Sequence, residues 1–128
     1  MEPYDPELAP VSEDWLALDE GERIVLVEAY HREARIRLPS SRRKLHATFH
    51  VVVENQLAEK DETVVRALGR LMTEGFSRHD AVHAIGSVLA EEIYDVLKLR
   101  ETPDPTHARY YTAIERLTAA SWLARGDS

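Results

Sequence analysis

The chain contains no cysteine. Disulfides, thiol nucleophiles and zinc or iron–sulfur sites built on thiolates are therefore excluded. No run approaches the roughly 18 apolar residues that a membrane-spanning helix needs. No segment alternates with a period of two over a useful length, so no strand is expected. There is no Gly-x-Ser-x-Gly elbow and no phosphate-binding glycine loop, which leaves the common hydrolase and nucleotide-binding signatures unmatched. The first residues, Met1-Glu2-Pro3-Tyr4-Asp5-Pro6-Glu7, lack the basic start and apolar stretch of a secretory signal. A cytoplasmic location is the resulting expectation.

Positive charge is also short. The net charge is −7, which argues against bulk binding of nucleic acid or of an anionic membrane. The imbalance is local. Residues 1–22 hold eight acids and no base. Residues 32–44 hold Arg32, Arg35, Arg37, Arg42, Arg43 and Lys44 against Glu33 alone. This basic segment reads as a solvated surface linker around Pro39-Ser40-Ser41, with a local anion or RNA contact as the sharper alternative.

What is present is a series of helix patterns. A length of 128 residues suggests one domain, able to bury about two-thirds of its unfolded surface. Residues 1–18, with Pro3, Pro6 and Pro10, read as an irregular acidic arm whose end Trp15, Leu16 and Leu18 could pin to the core. Residues 19–128 read as an all-α bundle of four to five helices. Asp19 and Glu22 form a capping box ahead of a helix to about Ile36, apolar on several sides at Ile24–Val27. A second helix starts after Pro39 and runs to about Ala58, with Phe49, Val53 and Leu57 as its stripe. A third spans about Glu62 to Glu74, with Val64, Val65, Leu68, Leu71 and Met72 inward. Gly75 and Phe76 predict a Schellman ending. Ser77 then caps a fourth helix whose core face is Val82, Ile85, Leu89, Ile93 and Leu97. Asp104 and Pro105 start a last helix, carrying Tyr110, Ile114, Leu117 and Trp122 and stopping near Gly126. Gly69 and Gly86 lie inside helices, where each costs about 1 kcal/mol relative to alanine; close helix approach is the expected reason.

Two His-x3-His pairs, His46/His50 and His79/His83, use four of the six histidines. Residues four apart share a helix face, so each pair can aim two imidazoles at one point. Glu54 continues the first line and Glu91 follows the second. Glu91 has drifted further round its helix, since each step of four turns the side chain by about 40°. Glu28 and His31 form a Glu-x-x-His on the first helix and are outer candidates. Imidazole and carboxylate together suit zinc, iron, manganese or nickel, and helical bundles supply such ligands from facing positions. The expected site is thus one or two divalent metal ions, zinc or iron first, held by His46, His50, Glu54, His79, His83 and Glu91.

Other readings compete. Each histidine could be an amphipathic edge residue, and His107 is read that way. A metal-free His/Glu acid–base site is chemically available. Residues 62–97 form a helix–turn–helix, but Glu91, Glu92 and Asp95 make its second helix too acidic for a DNA reader. The alternative in a different class is a non-catalytic interaction module without metal. A homo-oligomer or a protein partner stays open; no membrane or nucleic-acid partner is expected.

The segment Leu45-His46-Ala47-Thr48-Phe49-His50-Val51-Val52-Val53-Glu54-Asn55-Gln56, with Arg78-His79-Asp80-Ala81-Val82-His83-Ala84-Ile85-Gly86, resembles a bacterial family known only as a domain of unknown function. The resemblance covers roughly residues 20–97. It implies the shared patterns His-x3-His-x3-Glu-x-Gln and His-x-Ala-x-His, with a later glutamate at Glu91. Where some members carry a second acid this chain has Ser87, which implies one ligand fewer. The family brings no established activity.

Overall fold

The computed structural model describes residues 3–33, 40–99 and 107–125. Among these residues there are seven helices and no strand: α1 (Ser12–Ala17), α2 (Glu20–Glu33), α3 (Ser40–Ala58), α4 (Glu62–Thr73), α5 (Arg78–Leu99), α6 (Ala108–Arg116) and α7 (Ala119–Ala124). The architecture is all-α, as the missing period-two pattern implies. None of these helices is long and apolar enough to cross a membrane. The Pro39 turn, the Asp104-Pro105 helix start and Gly126 lie outside the described residues.

Local chemistry sets the helix ends. At α2 the Glu22 amide donates to Asp19 Oδ1 at 2.8 Å, and the Asp19 amide donates to Glu22 Oε1 at 3.3 Å. These bonds satisfy donors that a helix start leaves unpaired. Asp61 caps α4 by accepting from the Thr63 and Val64 amides. Gly75 ends that region with φ at 112°, a conformation that glycine adopts without a Cβ penalty. The Phe76 amide then reaches back to the Leu71 carbonyl at 3.1 Å, the long bond of a Schellman ending. Ser77 Oγ accepts from the Asp80 amide at 3.1 Å and opens α5.

The segment expected as one last helix is two. Thr118 and Ser121 form a reciprocal capping box that starts α7 afresh. Arg70 donates to the Ile114 and Leu117 carbonyls at 2.6 and 2.9 Å across the break. The N-terminal arm is also more structured than its prolines suggest. It contains α1, and Tyr4, Pro6 and Trp15 are buried. The Trp15 indole donates to Asn55 Oδ1 at 2.9 Å, so this arm is part of the core rather than an appendage.

α3 is the central element, packed against α1, α2, α4 and α5. Its wheel explains two separate apolar clusters. At about 100° per residue, Phe49 and Val53 lie on one side of the His46–His50–Glu54 line, and Ala47 and Val51 on the other. Val53 joins the cluster of α4 to α7, built on Val64, Leu71, Val82, Ile85, Ile114 and Trp122. Ala47 and Val51 join Tyr4, Trp15 and Val27 on the arm side. The polar line of α3 runs between the two. α5 lies antiparallel beside α3, with Arg78 at Glu54 and Gly86 at Phe49 and Val53. A Cβ on Gly86 would sit 3.7 Å from the Phe49 carbonyl oxygen, an ordinary contact distance; close helix approach therefore favours a small residue here without requiring glycine. It does not account for Gly69, where a Cβ would meet nothing within 4 Å.

Some residues assigned to core faces are exposed instead: Val65 and Met72 on α4, Ile93 and Leu97 on α5. Val65 is one residue round from buried Val64, and Met72 one residue round from Leu71, outside the arc that meets α5 and α6. Ile93 and Leu97 fall beyond the part of α5 where the buried residues, ending at Leu89, are found.

Candidate metal centre

Five of the six histidines converge where α2, α3 and α5 meet. His31 comes from α2, His46 and His50 from α3, His79 and His83 from α5. Ring centroids lie 4.6 Å apart for His31–His46 and His46–His50, 4.9 Å for His31–His50 and 5.2 Å for His46–His83. His79 stands 5.4 Å from His50 and 5.6 Å from His31. Two groups have ligand atoms all within 4.8 Å of one another: His31, His50 and His79, and His46, His50 and His83. His50 belongs to both.

The hydrogen bonds fix one tautomer. His31 Nδ1 lies 2.8 Å from the Val27 carbonyl oxygen. A carbonyl only accepts, so Nδ1 carries the proton and Nε2 carries the lone pair. This is the outer-shell support that metal-binding histidines commonly have. His31 Nε2 faces His46 Nε2 at 3.0 Å. This is a hydrogen-bond distance, so in the metal-free chain His46 Nε2 donates to the His31 lone pair. His50 is only 1% exposed, and neither of its ring nitrogens has a hydrogen-bond partner.

Electrostatics favours the neutral form of His31, His46, His50 and His79. Burial is the largest cause for each shifted ring, because the charged form loses hydration. It pushes His46 down to about 4, helped by repulsion from His31, His83 and His79. His50 lies well below the ordinary histidine value for the same reasons. His79 is lowered by burial and His31, against an opposing pull from Glu7 and Asp80. His31 is lowered by burial, with the Val27 carbonyl opposing. Neutral imidazole is the form that binds metal.

The carboxylates expected beside the histidines are engaged elsewhere. Glu54 is 1% exposed. Its two oxygens accept from the Arg78 guanidinium at 2.8 Å each, and Tyr4 Oη donates to Oε2. Glu91 is half exposed and ion-paired with Arg125. Glu28 is half-buried on α2 and is in neither three-histidine group. His31, expected as an outer candidate, stands at the centre. His107 is exposed and contacts Tyr111.

Other residues at the site were not singled out from the sequence. Tyr30 sets its ring edge-on to both His31 and His79, at 5.4 Å each. Trp122 lies 6.0 Å from His83. The arm closes one end: Glu7 Oε1 accepts the His79 amide at 2.8 Å, and Arg78 donates to the Pro6 carbonyl at 2.9 Å. The spacing Tyr30-His31 on one helix was the available signal; the arm contacts span 72 residues and leave no local pattern. No family model, no curated protein and no solved structure matches this chain.

Proposed function

We propose that this chain is a metal-binding helical protein whose five-histidine cluster holds one or two divalent transition-metal ions. The observation that carries the reading is His50. A buried polar group without a partner costs about 1–3 kcal/mol, and here both ring nitrogens of a fully buried histidine are in that condition. Four other imidazoles surround it, and the lowered basicity of His31, His46, His50 and His79 favours the lone-pair form over the charged one. An ion supplies what the protein does not.

The donor set narrows the choice of zinc or iron toward zinc. Each group is all imidazole, with Glu54 and Glu91 held by arginines. Non-haem iron sites typically add a carboxylate, whereas zinc accepts three imidazoles and keeps a position for water or an anion. The hydrogen-bonding interaction module, the competing reading, leaves the two His50 nitrogens unexplained. Kinship with the bacterial family of paired His-x3-His motifs is part of this proposal and rests on the motifs quoted above.

The test is metal analysis of the full chain purified without a histidine tag, before and after chelation. Stoichiometric zinc is expected, lost on chelation, absent from His50→Ala and reduced in His83→Ala, which loses a ligand from only one of the two groups. A chain that neither retains metal nor melts at a higher temperature after zinc or iron addition overturns the reading.

A further inference from the structure

We infer that His50 bridges two metal ions as an imidazolate, one ion held with His31 and His79 and the other with His46 and His83. This rests on the metal-binding reading and adds to it the number of ions and their linkage.

Three observations support the bridge. First, His50 is the single member common to both three-histidine groups, and the other four histidines divide between them without remainder. Second, one ion would use one nitrogen of His50 and leave the other buried and unpaired. A ligating histidine normally donates through its second nitrogen to a carboxylate, a carbonyl or water. His31 does so, through the Val27 carbonyl. His50 has no such acceptor. Glu54, one turn further along α3, is occupied by Arg78 and Tyr4. Third, neither group contains a carboxylate. Two dications among neutral imidazoles would repel each other strongly in a buried site. An imidazolate between them carries the negative charge that reduces this repulsion.

The protons balance. Neutral His50 carries one N–H and one lone pair. The first ion takes the lone pair. The second takes the pair left when the N–H proton passes to solvent, so loading the second ion releases one proton more than loading the first. The donor chemistry is that of zinc and copper, both of which accept imidazole. Each ion has three protein nitrogens and room for a solvent or anionic ligand.

Copper(II) is the probe, because two copper ions coupled through an imidazolate lose their separate paramagnetic signals. Metal-free, tag-free full-length protein is titrated with copper(II) in glycine buffer, which holds back weak surface sites. The expected result is two ions per chain, with a low-temperature paramagnetic signal that grows over the first ion and falls toward zero over the second. His83→Asn removes a ligand from one group and leaves His50 in place. It should bind one ion, with the full uncoupled signal. Its helix content by circular dichroism reports directly whether it folds. If it does not fold, His79→Asn is the matching variant in the other group. One ion per wild-type chain, or two ions with independent signals, overturns the bridge and leaves metal binding standing. No bound ion overturns both.

Discussion

Arg78 holds both carboxylate oxygens of Glu54, each at 2.8 Å, with the two side chains 8% and 1% exposed. The pair joins α5 to α3 one turn beyond His50 and also anchors the arm through Tyr4 and Pro6. Losing one partner of such a pair strands a buried charge and typically costs about 3–5 kcal/mol. Arg78→Met should therefore lower stability by that order in urea unfolding followed by circular dichroism. Glu54→Leu combined with Arg78→Met should recover much of the loss, because no charge is then left unpaired. An Arg78→Met midpoint equal to wild type would show that the pair does not hold the helices.

Glu54 marks the limit of what the sequence reveals. Its place on the His46–His50 line was legible from a spacing of four, and so was the meeting of the two histidine pairs. Arg78, 24 residues away, was not. A helix wheel reports which residues share a face, not which partner on another helix reaches them first. The central place of His31 is hidden for the same reason: its partners His46 and His79 lie on other helices. The helix starts at Asp19 and Ser77 were legible, because caps are local hydrogen bonds. The break at Thr118 leaves no clear sequence signal, since Thr118 and Ser121 fit a helix interior as readily as a new start. Val65, Met72, Ile93 and Leu97 fit the core periodicity yet are exposed, because periodicity counts apolar residues without knowing where the neighbouring helix ends.

Acid should destabilise the metal-free protein through the histidine cluster. The folded-state values of His31, His46, His50 and His79 are lowered, with His46 near 4. An unfolded histidine titrates near 6.5. Between these values the unfolded chain binds more protons, so stability rises with pH. The contribution is full above about pH 6.5 and is lost as pH falls toward the folded values. Melting temperature measured from pH 7.5 to 4.5 in chelator should fall, and a His46→Gln, His79→Gln chain should fall less. A flat profile for the wild type would contradict the packing of neutral imidazoles.

Ligand and bystander separate by substitution. His31→Ala removes a ring whose Nε2 lone pair faces His46. Loss of a supporting partner alone typically weakens a metal site by about 10–100-fold, and loss of a ligand should exceed that. Glu91→Ala removes only an exposed ion pair with Arg125, worth about 0–1 kcal/mol. Zinc competition against a chelating dye should show a large loss for His31→Ala and none for Glu91→Ala. Equal affinity losses would return Glu91 to the coordination shell.

Gly86 tests whether the spacing of α3 and α5 sets the cluster. A Cβ there would stand 3.7 Å from the Phe49 carbonyl oxygen and from Val53 Cγ2, ordinary contact distances. Gly86→Ala should therefore fit, and removing a mid-helix glycine should raise stability by up to about 1 kcal/mol. Gly86→Leu cannot be housed without parting the helices, at a typical cost of about 1–3 kcal/mol. His83 precedes Gly86 by three residues on α5, and His46 and His50 sit on the opposing helix. Parting the helices therefore moves His83 away from its group. Gly86→Leu should keep its helix content yet bind zinc more weakly, whereas Gly86→Ala should bind as wild type. The check is zinc affinity measured beside urea unfolding for both variants. Undiminished affinity in a folded Gly86→Leu chain would mean that helix spacing at this point does not govern the site.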